Sequence, residues 1–233
     1  MNYKYIIGID EAGRGPIAGP VAVGAVLFEI EEYEKFKKDA GGKGLSSSKS
    51  IFKEERSDGE KFDLERGKTL RSNLLKDSKK LSEKKREEWF ETIKGLASNS
   101  LQFSVAFSSN KVIDTKGIVR AIEMAIEKIF AGFKLNSEEC LVLLDGNLKA
   151  PKEFKNQKTI IKGDEKEPVI SLASIVAKVN RDRYIVKLSE KYPEYYLEKH
   201  KGYGTKLHYE MIKKYGLCNI HRRSFLKKHL TMR

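Results

Sequence analysis

The stretch YIIGIDEAGRGPIAGPVAVGAV, Tyr5 to Val26, sets two adjacent acids, Asp10 and Glu11, at the end of an apolar run. Gly13, Arg14, Gly15, Pro16, Gly19 and Pro20 follow, and a second apolar run begins at Val21. β-Branched and aromatic runs bounded by Gly and Pro read as strands. Tyr3–Ile9 and Val21–Phe28 are therefore predicted as two strands, with the Gly/Pro segment as their connection. Neighbouring carboxylates that close a buried strand need a compensating partner, because an isolated buried charge is very costly. Any fold for this chain has to supply that partner.

The remaining pattern gives the sheet its other members. Residues 29–73 are polar, charged and broken by Gly and Ser, with no sustained apolar face, and are predicted as a partly flexible insertion with short helical pieces. Ser82 is a plausible N-cap for a helix that aligns Trp89, Phe90, Ile93 and Leu96 on one side. Leu101–Phe107 alternates as a strand, and Gly117–Phe133 carries the apolar stripe of a helix. Cys140–Leu144 is a continuous apolar run of the buried-strand kind, and Thr159–Ile161 is a brief further strand. Val169–Tyr192 reads as a long helix that closes before Pro193. The order of elements predicts an α/β fold, a mixed sheet covered by helices, followed by a basic helical part at about 193–233.

Acids recur at the ends of these strands. Asp145 follows CLVLL, and Asp164 follows TIIKG ahead of the long helix. If the strands lie side by side and run the same way, Asp10, Glu11, Asp145 and Asp164 gather at one edge, where open α/β sheets hold their ligands. Like charges gathered there call for a cation, and carboxylate oxygens suit Mg²⁺. Two such ions can activate a water and stabilise the leaving oxygen of a phosphodiester. Taken singly, Asp145 and Asp164 also fit plain turn residues.

Charge selects the partner. The chain has 233 residues and a formal net charge of +13, which favours polyanions, nucleic acid before an anionic membrane surface. No apolar run reaches the length of a membrane span, and the N-terminus has no secretion-signal layout. Cys140 and Cys218 lie far apart, so two reduced thiols and a cytoplasmic location are expected. His200, His208, His221 and His229 show no zinc-hydrolase spacing, and no phosphate-binding loop of the ATPase or GTPase kind is present.

GIDEAGRGPIAGPV, DSKKLSEKKRE, LLDGN, IKGDE, SLASIVAKVNRDR, HKGYGT and HRRSF occur in that order. Together they resemble ribonuclease HII, the bacterial type 2 ribonuclease H, over nearly the whole chain except roughly residues 29–73. The resemblance implies a ribonuclease H-like fold: a mixed five-stranded sheet flanked by helices, with a helical C-terminal extension, all within one catalytic domain spanning 1–233. It implies a metal-dependent endoribonuclease that hydrolyses RNA in RNA–DNA hybrids. It also implies incision 5′ of ribonucleotides embedded in duplex DNA, leaving 3′-hydroxyl and 5′-phosphate ends, a reaction that belongs to ribonucleotide excision repair and DNA replication. The implied cofactor is Mg²⁺ or Mn²⁺, two ions during catalysis, held by Asp10, Glu11, Asp145 and Asp164.

The same resemblance places Gly13, Arg14 and Gly15 against the ribonucleotide, where glycine lets the backbone approach and the 2′-hydroxyl separates RNA from DNA. Tyr203 matches the tyrosine that contacts this hydroxyl, although by itself it reads as a loop aromatic. Lys79, Lys80, Lys178 and Arg181 are candidate phosphate contacts. Lys178 and Arg181 share a helix face and could equally be solvated or paired with Asp182. Ser171 and Ser174 are candidate hydroxyl contacts, and His200 is either a helper or a packed histidine. No clamp-binding tail is visible, the charge of HRRSFLKKHLTMR suits contacts to a nucleic-acid backbone, and a monomer is expected. Two alternatives stay open: a DNA nuclease of the resolvase or transposase kind, and a basic binding protein without catalysis.

Overall fold

The computed structural model describes residues 3–40, 81–97 and 101–230. Lys79, Lys80 and residues 41–73 of the predicted insertion lie outside the described residues.

Five strands form one sheet: β1 (Tyr5–Ala12), β2 (Val21–Glu29), β3 (Leu101–Ser108), β4 (Cys140–Asp145) and β5 (Gln157–Ile160). Their order across the sheet is β3-β2-β1-β4-β5. β1 pairs antiparallel with β2 and β2 with β3, whereas β1, β4 and β5 run parallel. The register sets Ile9 opposite Leu144, so Asp10 and Asp145 emerge side by side at the carboxyl ends of two parallel strands. β1 runs through Asp10 and Glu11 to Ala12 rather than stopping before them. The acids are therefore held by ladder hydrogen bonds opposite Gly24 and Val23.

Helices cover both faces. On one, helix α1 (Ile30–Ala40), α2 (Glu83–Leu96) and α4 (Pro168–Ser189) pack around Ile6, Val26 and Phe28. On the other, α3 (Asn110–Phe133) buries Ile122, Ile126 and Ile129 against Ile7, Ile9 and Val142. The strand alternation of β1 divides its side chains between these two cores. Ser82 caps α2, accepting a hydrogen bond from the Lys85 N–H at 3.3 Å. α3 starts earlier than the apolar stripe suggests, at a Ser109 cap, and is kinked at Gly117. The first part of the predicted insertion forms α1, a short helical piece of the kind expected there. Tyr33 and Phe36 in α1 are buried, with rings 5.6 Å and 5.4 Å from that of Phe28. Two aromatics one turn apart supply the inner face that the surrounding charges conceal.

α4 decides where the site lies. A side chain at Gly8 would come within 2.3 Å of the Val169 carbonyl oxygen, and one at Gly24 within 2.3 Å of the Ala173 carbonyl oxygen. Only glycine at both positions lets the helix backbone rest directly on the sheet. That contact lays the middle of α4, around Ser174 and Lys178, over the end of β1.

The C-terminal part adds short helices α5 (Leu197–His200), α6 (Lys206–Tyr215) and α7 (Arg223–Leu230). A third apolar cluster, Ala18, Ile185, Tyr195, Leu197 and Ile220, binds this part to the β1–β2 connection and to α4. Cys140 and Cys218 are not joined to each other. Among the described residues, no helix is long and apolar enough to cross a membrane.

Candidate active site

Asp10, Glu11 and Asp145 offer carboxylate oxygens that all lie within 4.8 Å of one another. They line a cleft of about 350 Å³ together with Gly13, Arg14, Gly15, Arg86, Ser174, Lys178 and Tyr203. Asp10 is almost wholly buried. Its Oδ1 accepts a hydrogen bond from the Glu11 N–H at 2.7 Å. Glu11 Oε1 accepts from Arg14 Nη1 at 2.9 Å, and Asp145 Oδ1 accepts from the Gly163 N–H at 2.7 Å. The other oxygens of the first pair, Asp10 Oδ2 and Glu11 Oε2, are buried without a hydrogen-bond partner.

Burial, and then the charges of Glu11 and Asp145, push the Asp10 carboxyl well above the usual carboxylate range. Hydrogen bonds from Ser174 and the Glu11 backbone pull the other way. Oxygen-only donors, two of them buried and open, fit a hard divalent cation of the Mg²⁺ or Mn²⁺ kind. Asp164 sits next to this group but not within it. It is wholly buried in the 3-10 turn Gly163–Glu165, which reaches the cluster through the Gly163 N–H to Asp145.

The segment after the acids is shaped by two buried arginines. Gly13 has φ +95°, and a Cβ there would lie 1.9 Å from Arg181 Nε. Arg181 is not among the residues that line the cleft; its Nη1 lies 3.8 Å from Asp182 Oδ1, the pairing left open by its place on α4. It is wholly buried and donates to the carbonyls of Pro20 at 3.0 Å, Lys201 at 3.1 Å and Ala18 at 3.5 Å. The reason is its direction: it points beneath the β1–β2 connection, into a gap that glycine leaves. Lys178, one turn earlier, does line the cleft. Its Nζ lies 2.9 Å from the Asp182 carboxylate and 5.7 Å from the centre of the Tyr203 ring.

Tyr203 is exposed at the cleft mouth, and the backbone before it is docked on the same connection, with the Gly202 carbonyl accepting from Ile17 N–H at 2.9 Å and Ala18 N–H at 3.2 Å. Ser174 lines the cleft, whereas Ser171 is buried a turn away from it. His200 is a packed histidine, its Nε2 2.9 Å from the Tyr195 carbonyl oxygen.

Two arginines of the site have no place in the sequence reading. Arg86 lines the cleft from α2; it lies within the quoted block DSKKLSEKKRE but is one cation among several there. Arg222 reads from sequence as a surface cation of HRRSF. It is wholly buried and donates to the carbonyls of Gly13 at 2.7 Å, Arg14 at 3.0 Å and Gly19 at 2.9 Å. Nothing local in the sequence separates it from the exposed Arg223.

The family model described as Ribonuclease HII matches residues 7–58 and 62–228. The chain belongs to the ribonuclease HII family. A curated Ribonuclease HII from Caldicellulosiruptor bescii is 42% identical over 231 residues, covering 99% of this chain and 91% of that one. The fold is shared with the crystal structure of ribonuclease H2 from Pyrococcus horikoshii OT3, with a TM-score of 0.61 at 24% identity, covering 96% of each chain. It is also shared with Bst-RNase HIII in complex with Mn²⁺, with a TM-score of 0.63 at 16% identity, covering 99% of this chain and 70% of that one. As a ribonuclease HII, this chain is a metal-dependent endoribonuclease of the ribonuclease H type, acting on RNA–DNA hybrids.

Proposed function

We propose that this ribonuclease HII also incises duplex DNA on the 5′ side of a single embedded ribonucleotide, leaving 3′-hydroxyl and 5′-phosphate ends. The observation that carries the reading is the pair of buried, partnerless oxygens, Asp10 Oδ2 and Glu11 Oε2, beside Asp145 and in one cleft with Gly13–Gly15 and Tyr203. Asp10, Glu11, Asp145 and Asp164 hold two Mg²⁺ or Mn²⁺ ions; the Mn²⁺ in the structure of Bst-RNase HIII supports the choice. When bound, the cations supply an activated water and offset the charge that builds at phosphorus.

The residues of the chain do the rest. The backbone of Gly13 and Gly15 approaches the 2′-hydroxyl, and the exposed ring of Tyr203 lies against the sugar that follows. Arg14, Arg86 and Lys178 pair with phosphates, as do Lys79 and Lys80. In the reaction, water oxygen bonds to phosphorus, the bond from phosphorus to the 3′-oxygen breaks, and that oxygen leaves as a hydroxyl after taking a proton. The chain works as one domain over 1–233, as a cytoplasmic monomer.

Cleavage of a duplex with one embedded ribonucleotide tests this, run beside an all-DNA duplex and a 2′-O-methyl version, with Mg²⁺ and with EDTA. Metal-dependent incision 5′ of the ribonucleotide, absent from both controls, is the expected result. Equal cutting of the all-DNA duplex would overturn the proposed role of the 2′-hydroxyl. Cutting of long hybrids alone would overturn incision at single ribonucleotides.

A further inference from the structure

We propose that a hydrogen-bonded chain of two buried histidines, His221 and His208, positions Tyr203 and thereby sets how tightly the cleft takes a ribonucleotide. The proposal rests on the reading of Tyr203 as part of the substrate surface.

Three distances define the chain, and His200 packs beside it. The Cys218 N–H donates to His221 Nδ1 at 3.0 Å. His221 Nε2 lies 3.2 Å from His208 Nε2. His208 Nδ1 lies 2.9 Å from the Tyr203 carbonyl oxygen. His200 stacks on His208 with ring centres 4.3 Å apart, and its Nδ1 accepts from the Gly202 N–H at 3.3 Å.

Chemistry leaves one arrangement of protons. A carbonyl only accepts, so His208 Nδ1 carries hydrogen. A backbone N–H only donates, so His221 Nδ1 carries none; the Cys218 thiol, 3.3 Å from the same nitrogen, faces it as a weak donor. In two neutral rings, His221 then has its hydrogen on Nε2 and donates it to the bare Nε2 of His208. A further proton on either ring would set two N–H groups against each other. Both rings are buried, which disfavours the charged form and pushes each down to about 4.

The chain ends on the backbone of Tyr203, the one aromatic residue among the described residues that line the cleft. It begins in the segment Cys218–Arg222, whose last residue holds the carbonyls of Gly13, Arg14 and Gly19. A single short segment thus fixes both sides of the cleft: Arg222 under the glycine loop, His221 through His208 under Tyr203. The Tyr203 carbonyl also accepts from the Thr205 N–H at 2.9 Å, so apolar side chains in place of the rings would fill the same space but take away the second of its two donors. His208 is a positioning residue in this scheme, since it touches no substrate.

The test combines kinetics on the single-ribonucleotide duplex with nitrogen-15 NMR of the histidine rings in the intact wild-type protein. His208→Ala is expected to raise KM about tenfold with kcat within about twofold, the size of one lost hydrogen bond. His208→Asn, which keeps a donor near the place of Nδ1, is expected to return KM to within about threefold. A purely structural role would lower the active fraction, and so kcat, and leave KM alone. NMR is expected to give the Nδ1–H form for His208 and the Nε2–H form for His221 at neutral pH. An unchanged KM in folded His208→Ala, or the opposite forms in NMR, would overturn the proposal. Wild-type protein that fails to cut this duplex would instead overturn the proposed function and the selectivity argued from it, while the NMR result would still decide the proton arrangement.

Discussion

Arg222 Nη2 donates to the Gly13 carbonyl at 2.7 Å across 209 positions of sequence. Its other two nitrogens hold Arg14 and Gly19, so one side chain carries three carbonyls of the loop beside the acids. Arg222→Ala would strand those carbonyls in a buried place, at a cost of about 2–4 kcal/mol. Arg222→Lys keeps the charge but not the planar fork, and should recover only part of the loss. Urea unfolding of the three proteins checks this. Equal midpoints for wild type and Arg222→Ala would show that the loop holds itself.

The approach of α4 to the sheet gives a pair of opposite outcomes. At Gly24, a methyl group would meet the Ala173 carbonyl oxygen at 2.3 Å, a backbone atom that cannot turn aside. Gly24→Ala should destabilise by about 3 kcal/mol and lift Ser174 and Lys178 from the cleft. Gly132, exposed in α3, has no atom within 4 Å of such a methyl. Gly132→Ala should stabilise by about 0.5–1 kcal/mol through its helix preference alone. Thermal unfolding of both variants measures the two signs in one experiment.

What is legible in the sequence follows from how far each interaction reaches. Asp10, Glu11 and Asp145 can be placed at strand ends because apolar runs and turn residues mark those ends locally. That they meet depends only on β1 and β4 being neighbours and parallel. Arg181 and Lys178 look alike on a helix face, yet one is buried under a loop and the other lines the cleft. The difference is set by Gly13, 168 positions away by its number, and no periodicity on α4 carries it. The histidine chain is equally hidden, since ring-to-ring hydrogen bonds leave no spacing signature of the metal-ligand kind. Tyr33 and Phe36 are obscured for a simpler reason: two buried aromatics suffice for a short helix, and charged neighbours mask them.

Asp10→Asn should lower turnover on the order of a hundredfold or more, because it takes a charged oxygen ligand from the cluster that would hold the cations. Its effect on stability has the opposite sense. In the cation-free protein, Asp10 binds its proton more tightly folded than unfolded, its ordinary value being 3.8. Stability contributed by this group is therefore lost as pH rises from 3.8 through the raised folded value. At neutral pH, cation-free Asp10→Asn should melt at or above the wild-type temperature. Added Mg²⁺ or Mn²⁺ should raise Tm more in wild type than in the variant, because the ion stabilises only the form that binds it. A wild-type Tm indifferent to both cations would count against the carboxylate site.

The buried histidines give a dependence of the other sign. His208 and His221 fall from an ordinary 6.5 to about 4, chiefly through burial, and His200 is lowered for the same reason. Between those values the unfolded chain takes up protons that the folded chain refuses. The stability linked to these rings is whole above 6.5 and is lost as pH falls toward 4. Asp10 works against this over the acid part of the range, so the histidine contribution is best read in the Asp10→Asn background. There, the urea midpoint should fall steeply through that window. His208→Asn should flatten the fall by removing one titrating ring while keeping the donor to Tyr203. An equal slope with and without His208 would mean that its ring takes up a proton as readily in the fold as in the unfolded chain, so that below 6.5 its Nε2 would carry hydrogen and could not accept from His221.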